Sequence, residues 1–207
     1  MSKAINIPDI ERGLRSAVAG DEDAARAAAS VTQRAADEGL ADVAYTTTET
    51  PIGPILVAST RRGLVRVAFA SERADDVLND LVVKISPRVL EAPEQLDEVR
   101  REIDQYFDGK RHKFELRLDW RLSHGFRNEV LRRLVRVPYG ETATYAEMAA
   151  RAGSPRAYRA AGSACGSNPM PLVVPCHRVV PSGGGLGGYG GGLDVKKYLL
   201  RLEGALD

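Results

Sequence analysis

The stretch NPMPLVVPCHRVV places Cys176 directly beside His177 and Arg178, just ahead of a glycine-rich loop that runs to Gly192. The chain has one other cysteine, Cys165. A free cysteine is most often a small buried hydrophobe, so a Cys-His pair alone says little. Prolines at 169, 171 and 175 add meaning, because they hold the backbone extended and still where Cys176 emerges. A nucleophile needs that fixity, and it needs a base: a free thiol of pKa about 8.5 is only a few per cent ionised at neutral pH.

Other chemistries fit less well. Zinc takes about four ligands, and two cysteines with His112, His124 and His177 show no CxxC or HxxxH spacing, so no metal site is expected. A reducing compartment argues against a Cys165–Cys176 disulfide. Gly183, Gly185 and Gly188 satisfy G-x-G-x-x-G, but the run continues through Gly192 and the strand–helix unit that gives this fingerprint its meaning is missing.

The candidate residues need a scaffold. With 207 residues, 43% apolar and 28% charged, the chain has ordinary globular composition, enough for one large domain or two small ones. No run of about 18 apolar residues occurs, and MSKAINIPDIERG lacks the features of a signal peptide, so a cytoplasmic protein is expected. The net charge of +1 is unevenly divided. Residues 1–122 carry 18 Lys+Arg against 22 Asp+Glu and residues 123–207 carry 11 against 6, which gives −4 and +5. The C-terminal part is the better match for a polyanion.

Three segments follow from the patterning. Residues 1–43 read as a helical extension, with Asp9 as a cap and an Ala-rich body ending at Gly39. Residues 44–122 read as an α/β domain with a small antiparallel sheet and helices, closed by KFELRLDW as a strand. Residues 123–207 read as mostly α. There, Phe126, Val130, Leu131, Leu134 and Val135 make one helix face ahead of Pro138. Thr144 and Glu147 form a capping box for a helix that ends at Gly153; Ser154 is expected to cap, and Pro155 to open, a second helix, PRAYRAAGSACGS. The pair predicts a winged-helix-like helix-turn-helix. The second helix has an inward spacing of Ala157, Ala160, Ala161, Ala164 and Cys165, with Arg156 and Arg159 on its first turns, where a helix N-terminus favours phosphate. Small residues suit tight helix packing and close approach to a duplex equally.

Taken together, residues 125–204 resemble the DNA-binding half of the O6-alkylguanine-DNA alkyltransferases, also called methylated-DNA–protein-cysteine methyltransferases. The P-C-H-R-V core, the upstream N-P and the downstream G-G-x-x-x-K carry the resemblance, and the strand-rich part from about residue 43 is more loosely similar to the family's smaller domain. The resemblance implies a DNA repair protein that flips O6-alkylguanine, and as a further candidate O4-alkylthymine, out of the duplex. The alkyl group would move irreversibly to Cys176, one turnover per molecule. It implies His177 as the base acting through a water, Glu203 as the carboxylate orienting it, Tyr145 as proton donor to the leaving base and Asn168 as the tie before the nucleophile. It implies Arg159 as the side chain that replaces the flipped nucleotide, with Ser154, Arg156, Tyr158 and Ala160 beside it at the DNA. Pro171, Val179, Tyr189, Gly190 and Lys196 would form the base pocket. The implied partner is double-stranded DNA approached through the minor groove by a monomer, with no membrane; thiolate displacement at an alkyl carbon requires no metal or cofactor. Gly190 stands where some relatives carry serine, which leaves only backbone contacts there, and Tyr158 is bulkier than expected. A module that recognises the lesion without transfer and a cysteine hydrolase using Cys176 and His177 remain as alternatives, the first opposed by the retained Cys176.

Overall fold

The computed structural model describes residues 41–207; the helical extension expected ahead of them lies outside the described residues. Alternating apolar residues form β1 (Val43–Thr48), β2 (Ile55–Thr60) and β3 (Gly63–Phe69), an antiparallel meander in which Val43 faces Thr60 and Ile55 faces Phe69. Helix α1 (Ala74–Lys84) lays Val77 and Leu81 over Val43, Leu56, Ala58, Val65 and Ala68. A short β4 (Val89–Glu91), which the sequence pattern did not announce, adds to β1 in parallel, so the sheet is mixed, in the order β3-β2-β1-β4. Its position is fixed by a clasp rather than by its own length: Asp42 N and Val43 N donate to Arg88 O, while the Arg88 guanidinium grips the Asp42 carboxylate. Helix α2 (Asp97–Phe107) follows, its chain reversing at Gly109.

The segment KFELRLDW is not a strand. Only Leu118 pairs with the sheet, in one bridge to Leu64. Upstream, Glu115 N donates to the Glu102 carboxylate and the Phe114 ring packs 5.3 Å from Tyr106, so the alternating residues are drawn toward α2 and away from the sheet edge. Gly63 permits the single bridge: at φ +129°, a Cβ there would sit 2.1 Å from the Arg117 carbonyl oxygen.

The C-terminal half consists of α3 (Gly125–Leu134), β5 (Ala143–Thr144), α4 (Tyr145–Arg151), α5 (Tyr158–Gly166), β6 (Val179–Val180) and α6 (Leu193–Leu202). Val130, Leu131 and Leu134 bury one face of α3, and the Thr144–Glu147 capping box opens α4. Helix α5 packs against α4 and α3. Two expectations about α5 are corrected. It begins at Tyr158, and its N-cap is Ala157 with no side-chain cap. Ser154 instead finishes the previous helix: Gly153, at φ +80°, donates to Ala150 O and Ser154 N donates to Ala149 O, a Schellman closure. The buried face of α5 is Ala161, Ala164 and Cys165; Ala160 is exposed rather than inward.

Candidate active site

The loop between α5 and Cys176 is built around one side chain. Asn168 Oδ1 accepts from Met170 N at 3.0 Å, and Nδ2 donates to Val174 O at 2.7 Å and to Cys176 Sγ at 3.1 Å. Val174 N returns a bond to Met170 O, and Leu172, wholly buried, holds φ +73°, a region a non-glycine residue occupies only when its surroundings over-determine it. The sheet fixes the other side, where Val67 N of β3 donates to Pro169 O at 2.9 Å. Cys176, His177 and Arg178 then form a single 3-10 turn.

Glu203, just past α6, collects four charge-assisted or hydroxyl hydrogen bonds. His177 Nε2 lies 2.8 Å from Oε1, the Tyr106 hydroxyl donates to Oε1 at 2.6 Å, and Arg178 donates through Nη2 to Oε1 at 2.9 Å and through Nε to Oε2 at 2.8 Å. Arg178 Nη1 also reaches Val137 O. Burial pushes the Glu203 carboxyl up, but the hydrogen bonds from His177 and Arg178 outweigh it and hold the pKa at about 2. An ionised Glu203 makes Nε2 the protonated nitrogen of His177 and leaves the Nδ1 lone pair free. Nδ1 is buried and has no partner among the described residues. Burial also lowers the His177 pKa, against the pull of Glu203, so the imidazole is neutral at pH 7. The Cys176 thiol is pushed up to about 11 by burial, opposed by the Asn168 hydrogen bond and the Lys196 charge. Unassisted, about one thiol in ten thousand would then be ionised at pH 7, so a neutral base at this spot has a task to perform.

A cleft of about 720 Å³ opens over the thiol, with Cys176, Asn168, Pro171, Gly190 and Phe69 among its lining. The Tyr145 ring crosses Gly162, and a Cβ on Gly187 would lie 3.1 Å from the Tyr145 hydroxyl. Burial and the nearby Cys165 and Cys176 raise the Tyr145 pKa, which keeps the hydroxyl protonated. Tyr189 packs between Phe69 and His177. Lys196 has a different place from the pocket contact expected: it is wholly buried, and its ammonium bridges Val179 O at 2.6 Å and the Leu186 carbonyl, which ties β6 to the glycine loop. On α5, Tyr158 and Arg159 are exposed, with the guanidinium over the Tyr158 ring at 5.6 Å, while Arg156 is exposed in the turn ahead of the helix. Both cysteines are free.

Two residues of this network have no role assigned by the sequence pattern. Arg178 lies within the P-C-H-R-V core and reaches Glu203 through two hydrogen bonds. Tyr106 lies 97 positions from its partner in a helix of the other half; its one signal was that a tyrosine on the buried face of a helix needs a hydrogen-bond acceptor for its hydroxyl.

The family model described as 6-O-methylguanine DNA methyltransferase, DNA binding domain, matches residues 125–205, and that for the ribonuclease-like domain of the same family matches residues 43–120. A methylated-DNA–protein-cysteine methyltransferase of Methanosarcina barkeri is 40% identical over 159 residues, covering 77% of this chain and 96% of the relative. The constitutive enzyme of that name from Bacillus subtilis is 37% identical over 163 residues, 77% of this chain and 94% of the relative. Among solved structures, Mycobacterium tuberculosis OGT in complex with DNA superposes with a TM-score of 0.67 at 34% identity, covering 77% of this chain and 92% of that one. The M. tuberculosis O6-methylguanine methyltransferase gives 0.68 at 34% identity, covering 80% and 94%.

Proposed function

The chain belongs to the 6-O-methylguanine DNA methyltransferase family, and from that premise we propose how its residues divide the work. The protein is a methylated-DNA–protein-cysteine methyltransferase: it binds DNA and repairs it by moving an alkyl group to one of its own cysteines. We assign that cysteine as Cys176, the lesion as O6-alkylguanine, the approach as through the minor groove and the acting species as a monomer. Residues 123–207 are the DNA-binding and transferring domain and residues 44–122 the supporting α/β domain; the family models, which break between 120 and 125, support this division. Two free cysteines fit a reducing, cytoplasmic setting. Among the described residues no helix is long and apolar enough to cross a membrane.

The observation that carries the assignment is the buried set Asn168–Cys176–His177–Glu203, in which a thiol with a raised pKa adjoins a neutral imidazole whose free nitrogen is its Nδ1. In the forward step His177 Nδ1 takes the Cys176 proton by way of a water, and Glu203 stabilises the imidazolium that results. The thiolate attacks the alkyl carbon, a C–S bond forms, and the C–O6 bond breaks with its electron pair leaving on guanine. Tyr145 donates a proton to the base as that charge develops. The thioether has no route back to thiol, which makes the protein a single-turnover reagent. Arg159 enters the stack as the base leaves it, and Arg156, with the N-terminal end of α5, faces phosphate. Pro171, Val179, Tyr189 and Gly190 wall the base.

Intact mass spectrometry after mixing with a duplex that contains one O6-methylguanine tests the assignment. One methyl group should appear, on Cys176, and no second turnover should follow. Binding without an adduct would identify a recognition module, and repeated turnover a hydrolase.

A further inference from the structure

Besides His177 Nδ1, one more buried polar atom of the site lacks a partner among the described residues, the Tyr189 hydroxyl. The two rings meet edge to face, with centroids 6.3 Å apart and an interplanar angle of 86°. Phe69 backs Tyr189 at 5.6 Å, and a Cβ on Gly191 would come within 3.0 Å of the Phe69 ring, so the tyrosine is held from behind. The residue as a whole is half-buried, while its hydroxyl is fully buried. The Tyr189 O–H group, which feels the Cys176 charge, and the imidazole lone pair of the residue next to Cys176, both buried, are one donor and one acceptor for a shared water.

We propose that Tyr189 is a positioning residue for the deprotonation of Cys176: its hydroxyl and His177 Nδ1 together hold the water through which the thiol proton passes. The proposal rests on the alkyl-transfer reading and adds to it the group that fixes the water. The proton leaves Sγ for the water oxygen as a water proton passes to Nδ1, so the water is regenerated and a thiolate and an imidazolium remain. Tyr189 supplies a hydrogen bond and neither gains nor loses a proton; burial, then the Cys176 charge, places its pKa well above the ordinary value. The titratable groups facing this set are Lys196 and Glu203 from the α6 region, Arg178, Tyr106 on α2, Tyr145 on α4 and Cys165 on α5.

Tyr189→Phe keeps the ring and removes the hydroxyl. Its single-turnover alkylation by free O6-benzylguanine, followed from about pH 6 to about pH 10, should be about ten-fold slower than wild type near neutrality. The gap should narrow as pH rises toward the thiol's own ionisation at about 11, and the half-saturating concentration should not change. Parallel pH profiles, or a loss confined to affinity, would overturn the proposal and leave Tyr189 as pocket wall. In a His177→Asn background the relay is already gone, so Tyr189→Phe should slow the reaction no further; an equal loss in both backgrounds also overturns it. Failure of the wild-type protein to accept any alkyl group, from duplex or free base, would remove the alkyl-transfer reading and the proposal with it, and that outcome is read on the wild type alone.

Discussion

Cys176 and Cys165 are both buried and both line the cleft, yet their surroundings differ in kind. Burial, reinforced by the Cys176 charge, pushes Cys165 up to about 12, and it has neither the Asn168 hydrogen bond nor an adjacent imidazole. Cys165→Ala should therefore leave methyl transfer intact, whereas Cys176→Ala should abolish it and spare DNA binding; an adduct mapped to Cys165 by peptide mass spectrometry would reverse the assignment. The stacking role proposed for Arg159 can be separated from the chemical step. Its guanidinium rests over Tyr158, an interaction of about 0.5–1 kcal/mol that the proposed entry into the stack would give up. Arg159→Ala should slow repair of duplex O6-methylguanine by about ten-fold or more, the equivalent of ~1.4 kcal/mol, with little change in reaction with free O6-benzylguanine. The duplex rate is to be taken at saturating protein and at two salt concentrations, because lost phosphate attraction would imitate part of the effect. Equal slowing on both substrates would place Arg159 in the active site and end the stacking role.

Elements matter here through the places where two of them nearly touch. The glycine loop passes so close to α4 that a Cβ on Gly187 would meet the Tyr145 hydroxyl and the Pro181 ring, both at 3.1 Å, and the residue holds φ +67°. Gly187→Ala should cost about 1 kcal/mol or more in stability and should slow transfer to free base and duplex alike by displacing the Tyr145 hydroxyl. Gly188→Ala, with open space and no positive φ, should be near neutral on both counts, and equal damage from the two would refute the contact. This geometry also shows what sequence could carry. Cys176 and His177 were legible because they are adjacent and pinned by prolines, and Thr144–Glu147 because a capping box is local. KFELRLDW alternates like a strand, but its partners are Glu102 and Tyr106, which no local pattern names. Ser154 has the chemistry of an N-cap, and the left-handed Gly153 before it turns its backbone to closing α4 instead. β4, three residues long, exists because Arg88 and Asp42 clasp across the fold.

At the scale of the molecule, Glu203 joins what the chain separates: Tyr106 from α2, the 176–178 turn and the end of α6 meet on one carboxylate. That makes it a determinant of acid stability as well as a member of the proposed catalytic set. Its folded pKa of about 2 lies below the ordinary carboxyl value of 4.5, so the stabilisation is fully present above about pH 4.5 and is lost as pH falls toward 2, on the order of 3 kcal/mol. His177 acts in the same direction at higher pH. Its pKa is lowered from 6.5, the unfolded chain takes up that proton first, and stability begins to fall as pH drops through about 6.5. Wild-type protein unfolded by urea at a series of pH values should therefore lose stability in two stages. Glu203→Gln leaves the buried Arg178 without its counter-charge and should be less stable at pH 7 by about 3–5 kcal/mol. Between about pH 4.5 and 2 the wild type should fall toward the variant, since it is losing the charge the variant never had. Asp42, also held at about 2 but by the exposed Arg88 clasp, is present in both proteins and cancels in the difference. A gap that stays constant down to pH 2 would show that the Glu203 charge is not what holds the two halves together, and the buried network would then be a matter of shape alone.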